Sequence, residues 1–102
     1  MTEFEKATAK VEKYIRKLAK AQFRLGLMYY SGDGIKEDPE EAVRMYTKAA
    51  KLGNADAQYH LGDRYHLGEG VKKDRAEAIR WYKKAAEQGH EDARYWFDVM
   101  TT

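Results

Sequence analysis

The segment Ser31–Gly53, SGDGIKEDPEEAVRMYTKAAKLG, comes back in near-copy 36 residues later as Leu67–Gly89, LGEGVKKDRAEAIRWYKKAAEQG. Laying residues 21–56 on residues 57–92 gives 18 identities in 36 positions. A chain that writes one pattern twice in tandem builds one supersecondary unit twice. A unit of this length cannot bury its apolar face alone, so it stacks on its neighbour. The 102 residues leave room for one small domain: two such units and their ends.

Each unit reads as two helices. The first, about residues 20–31 and 55–67, carries apolar residues at helical spacing, with Ala57, Leu61 and Tyr65 four apart on one face. Gly68 and Gly70 (Gly32 and Gly34 in the first unit) end it, and Val71 or Ile35 is expected to fold back over the pair. Asp74 with Glu77, and Asp38 with Glu41, have the spacing of a helix N-cap and its third residue, and Pro39 suits the first helical position. The second helix gathers Ala78, Tyr82, Ala85 and Ala86 on one side, small enough for close helix approach. Gly89 closes it, and His90, like Asn54, stands where the next N-cap belongs. A last helix over 91–100 repeats the first-helix pattern, with Asp98 at the position of Gly62; that reads as a true end of the stack.

The shared pattern A-x-x-x-L-G-x-x-Y-x-x-G-x-G-V/I-x-x-D-x-x-x-A-x-x-x-Y-x-K-A-A-x-x-G resembles the Sel1-like repeat, a relative of the tetratricopeptide repeat. The resemblance covers residues 21–89, and 90–100 as a half repeat. It implies an all-α fold, a right-handed α-solenoid of stacked antiparallel helix pairs, serving as an adaptor that holds proteins together. The expected organisation is one domain over 1–102: an N-terminal helix over 1–19, repeats over 20–53 and 54–89, and a half-repeat helix over 90–100.

The N-terminal stretch departs from the repeat. Phe4, Ala7, Val11, Tyr14, Ile15, Leu18, Gln22 and Leu25 follow spacings of three and four, and the repeat's turn "LGNAD" is replaced by "LAKA". Local physics favours one helix from about residue 3 to 30, its first part projecting roughly 25 Å at 1.5 Å per residue. Its apolar stripe, with Phe4, Val11, Ile15 and Leu18, would then want a partner, most simply a second copy in a homodimer. The alternative is a turn near Ala19–Lys20 and a helix folded back as a cap. The missing punctuation at residues 17–21 also fits an engineered or structural helical unit without a native ligand.

Residues 1–24 hold seven basic and three acidic residues, a balance of +4, against twelve and fourteen, −2, in the remainder. The whole chain carries +2, too little to point to nucleic acid. No run of eighteen apolar residues exists, so no membrane span is expected. Cysteine is absent, which removes disulfides and thiolate chemistry. A cytoplasmic chain is the expectation, with secretion or the periplasm open should a signal have been removed beforehand.

A search for chemistry returns little. His60, Asp63 and His66 lie three apart on one helix, which spreads them around its axis rather than converging them on a metal. The glycine loops lack the lysine and hydroxyl that complete a phosphate loop. The expectation is no enzyme, no cofactor and no metal. What remains is a surface. By analogy with the tetratricopeptide arrangement, first helices line the concave side. Phe23, Tyr59 and Tyr95 would form an aromatic ladder there, beside Leu27, Tyr30, Asp63 and His66, as a site for a protein or peptide partner.

Overall fold

The computed structural model describes residues 1–102 as five helices and no strand: α1 (Glu3–Ser31), α2 (Pro39–Lys51), α3 (Ala55–Leu67), α4 (Arg75–Glu87) and α5 (Glu91–Thr101). Each helix packs on the next in chain order. α1 runs unbroken through Ala19–Lys20, so the stem and the first helix of the repeat are one helix. At about 1.5 Å per residue its 29 residues span roughly 44 Å, close to the 46 Å longest dimension of the molecule.

The helix boundaries have local causes. Thr2 and Glu5 form a reciprocal capping box at the start of α1, and that hydrogen bonding holds the Glu5 carboxyl below its ordinary pKa. Asp38 and Asp74 accept from the backbone N–H of Glu41 and Glu77, both at 3.1 Å. Asn54 and His90 cap α3 and α5 through the N–H of Ala57 and Ala93. Gly32 and Gly68, at φ of 74° and 70°, turn the chain out of the first helices. The loops then tie back, with the N–H of Asp38 and Asp74 donating to the carbonyls of Tyr29 and Tyr65.

The core is organised around two fully buried tyrosines. Tyr46 lies over Gly26 and Tyr82 over Gly62, so closely that a Cβ on either glycine would stand 2.5 or 2.8 Å from the ring. Ala42, Ala49 and Ala50, then Ala78 and Ala85, complete the faces of the second helices. Leu61 and Ala57 fill the seam between the repeats. Gln58 and Gln88 stitch the same seam: Gln58 Nε2 donates to the Ala50 carbonyl, and Gln88 Nε2 to Gly53 O and Gln58 Oε1. Gly70 seats the second loop against the Pro39 carbonyl and Val43. Val71 folds onto the core, whereas Ile35 in the equivalent place stays exposed.

The two tyrosines differ at their hydroxyls. Tyr82 donates to the Asp63 carboxylate, which adds to burial in raising its pKa. Leu27 stands where Asp63 would be, so the buried Tyr46 hydroxyl has no partner, and burial pushes it up to about 12. Tyr46→Phe should therefore be neutral or stabilising, and Tyr82→Phe should cost about 1 kcal/mol. Gly62→Ala should cost about 1–3 kcal/mol by overpacking. Thermal unfolding of the three variants beside the parent checks this, since 1 kcal/mol moves the midpoint by about 4–8 °C in a domain of this size.

Candidate protein-binding surfaces

The aromatic residues of the first helices form a connected band. Phe23 lies 5.9 Å from the Tyr46 ring and 5.2 Å from His60. His60 in turn lies 5.5 Å from Tyr59, which stacks on His90 at 4.5 Å and packs on Tyr82 at 5.8 Å. His66 meets Trp96 edge-on at 5.3 Å, and Trp96 meets Tyr95 at 5.4 Å.

This corrects the expected exposed ladder. Phe23 and Tyr59 are half-buried packing rings, held where the second-helix tyrosines of their repeats close on them. Tyr95, on the last helix, is 61% exposed. Asp63 and His66 both face Tyr82, the first accepting a hydrogen bond from its hydroxyl and the second lying with Nδ1 3.4 Å from that oxygen. Leu27 is half-buried against the core, and Tyr30 keeps an exposed edge with its hydroxyl 3.5 Å from Glu69. The structure thus brings Phe23, Tyr59, Asp63 and His66 together as inter-helix packing. Tyr30 and Tyr95 are the exposed members of the set, and Leu27 is partly covered by the core.

Arg64 escaped the sequence reading. It is buried at 5% exposure, its guanidinium 4.1 Å above the Tyr30 ring and its Nη1 3.2 Å from the Glu69 carboxylate. The signal was present: the equivalent positions hold Met28 and Met100, which mark an apolar environment. The guanidinium is accommodated there because a ring face and a carboxylate replace part of its hydration.

The second exposed feature is the stem, residues 3–18 of α1. Every residue before Ala19 is exposed, including Phe4, Val11, Tyr14, Ile15 and Leu18. The exposed apolar line continues into the repeat through Ala21, Leu25 and Met28. Beside it run Lys6, Lys10, Lys13, Lys17, Lys20 and Arg24, of which Lys6 pairs with Glu3 at 3.4 Å. No group of three His, Asp or Glu gathers in a geometry that could hold a metal. A concavity of about 220 Å³ lies open between Arg16, Ala19, Lys20 and the turn Leu52–Ala55.

Stacked helix pairs with two repeats in register define a helical repeat protein. The Sel1 repeat family matches residues 19–54 and 55–90, and the chain belongs to that family. Among solved structures it is similar to a Sel1 repeat protein from Oxalobacter formigenes, 44% identical with a TM-score of 0.79 over 80% of this chain and 62% of that one. It is also similar to c5321, a protective antigen of uropathogenic Escherichia coli strains displaying an SLR fold. There the identity is 45% and the TM-score 0.73, over 74% of this chain and 16% of that one. Helicobacter pylori cysteine rich protein B is 30% identical with a TM-score of 0.73, over 84% of this chain and 68% of that one. The chain thus spans less than two thirds of the first two relatives. No curated protein matches it. Sel1 repeat proteins are generally protein-interaction scaffolds and typically non-enzymatic. No helix here is long and apolar enough to cross a membrane.

The histidine inside the band gives the repeat stack a pH response. Burial holds His60 below its ordinary pKa, with the Asp63 carboxylate opposing. The unfolded chain then binds a proton that the folded chain resists, so stability is full above about pH 6.5 and falls as pH drops from there. Urea unfolding between about pH 7.5 and 5 should show this loss, and His60→Phe should lose part of it.

Proposed function

We propose that this chain is a non-enzymatic protein-binding scaffold that takes a peptide or protein edge along the first helices, across Leu27, Tyr30 and Tyr95. The observation that supports this is the band of rings on α1 and α3, in which Phe23 packs on Tyr46 and Tyr59 on Tyr82, with Tyr30 and Tyr95 exposed on the same set of first helices. Rings already ordered by packing lose little further freedom when a partner arrives, which favours binding. The concavities are shallow and open, below the ~300–1,000 Å³ of small-molecule sites, which supports a surface role over a substrate pocket.

The reading is tested with peptides selected from a displayed library on the intact chain. The combined variant Leu27→Glu, Tyr30→Glu, Tyr95→Glu should weaken them by at least about tenfold, a loss of about 1.4 kcal/mol, while circular dichroism stays unchanged. Peptides that bind the variant as well as the parent would discard this face.

The exposed stem favours a second reading, that of a structural unit that associates with itself through Phe4, Val11, Ile15 and Leu18. Both readings are compatible with one molecule, because the stem and the band occupy different stretches of surface.

A further inference from the structure

The stem and the open side of the first repeat form one continuous seam, and we infer that a second copy of this chain covers it, antiparallel, with its own stem in the slot that α2 fills on α3. This rests on the self-association reading and adds the direction, the register and the salt response.

The slot is visible by comparing the two repeats. On α3, Ala57 and Leu61 are 0% exposed because α2 lies against them, and Gly70 abuts Pro39 at the start of α2. On α1 the equivalent Ala21 and Leu25 face solvent, Leu25 at 44% exposure. The equivalent Gly34 has nothing within 4 Å of where a Cβ would stand. The missing neighbour is one antiparallel helix, 36 residues before α2 in the repeat register. That register falls on residues 3–15 of this same chain. They are helical and begin, like α2, on a cap residue with an acid three positions on: Thr2 with Glu5, as Asp38 with Glu41. The turn Leu52–Gly53–Asn54 corresponds to Arg16–Lys17–Leu18, which continue the helix instead of reversing it. The stem is therefore carried away from its own slot, and an antiparallel second copy brings an identical stem to it.

The seam agrees. Phe4, Ala7, Val11, Tyr14, Leu18, Ala21, Leu25 and Met28 alternate spacings of three and four, and all are exposed. This is the spacing of a two-helix seam. Reversed about residue 16 it falls on itself: Phe4 meets the second copy's Met28, Ala7 its Leu25, Val11 its Ala21, and Tyr14 its Leu18. The repeat gives a register independently. Tyr46 of α2 lies 5.5 Å from His60 of α3. Moving both back by 36 sets residue 10 against residue 24, a two-fold axis at residue 17. The two axes lie one residue apart, a difference of two residues in which positions pair.

Charge sets the salt response. The antiparallel pair brings Lys17 beside the second copy's Lys17, and Lys10 beside its Arg24. Exposed like charges of this kind repel weakly and are screened within about 8 Å at physiological ionic strength. The apolar seam outweighs them, and added salt tightens the dimer. An acidic amphipathic helix from another protein would show the opposite dependence.

Sedimentation equilibrium of the intact chain should give a dimer, with a dissociation constant lower in about 0.5 M than in about 0.05 M NaCl. Leu18→Glu should give a monomer that retains the thermal transition of the repeats. The chain has no cysteine of its own, so direction is read by cross-linking. Neither Ala7→Cys nor Leu25→Cys should form disulfide dimers alone, and an equimolar mixture should form the mixed one. A strict monomer at high concentration removes the self-association reading altogether. A dimer in which Ala7→Cys chains link to one another, or which Leu18→Glu leaves intact, keeps self-association and overturns the antiparallel placement. A dimer that loosens with salt overturns it equally.

Discussion

In each repeat a tyrosine ring rests on a glycine of the preceding helix, Tyr46 on Gly26 and Tyr82 on Gly62. A single methyl at either glycine would hold the helices apart, and the alanines beside the rings would then lose their neighbours. Close packing at this density is what lets 102 residues without a disulfide form two cohesive hairpins. The contact also explains why the first-helix rings are ordered. Phe23 and Tyr59 lean on those same tyrosines, so the surface that faces outward is the far side of the core.

The repeat architecture was legible because it is written in residue types with few other uses. Paired glycines end helices, an aspartate three before a glutamate begins them, and a four-spaced Ala–Leu–Tyr face makes the seam. The stem was legible as a preference, since Ala19–Lys20 has no residue that favours a turn over continuing the helix. The surface was much less so. Sequence periodicity shows that Phe23, Tyr59 and Tyr95 share a position, but not that a second helix covers the first two and leaves the third open. Arg64 shows the same gap: a charge reads as surface until the methionines at its equivalent positions reveal the environment.

Family membership defines the scaffold, and the departures from the repeat distinguish this chain within it. Leu27 in place of Asp63 leaves the Tyr46 hydroxyl unpaired and makes the first repeat more apolar than the second. Asp98 stands at the position of Gly62, and α5 presents Tyr95 and Val99 to solvent beside acidic neighbours. The first and last helices are therefore chemically unlike, α1 basic and apolar along a long helix, α5 acidic and short.

The unbroken run of α1 through Ala19 has a mechanical consequence. A loop between stem and repeats would let the two swivel. A continuous helix joins them as a shaft, so the azimuth of the stem is locked to the azimuth of the stack. Each residue added or removed near Lys17 would advance that shaft by about 1.5 Å and rotate it by about 100°, swinging the apolar line out of phase with the open side of the first repeat.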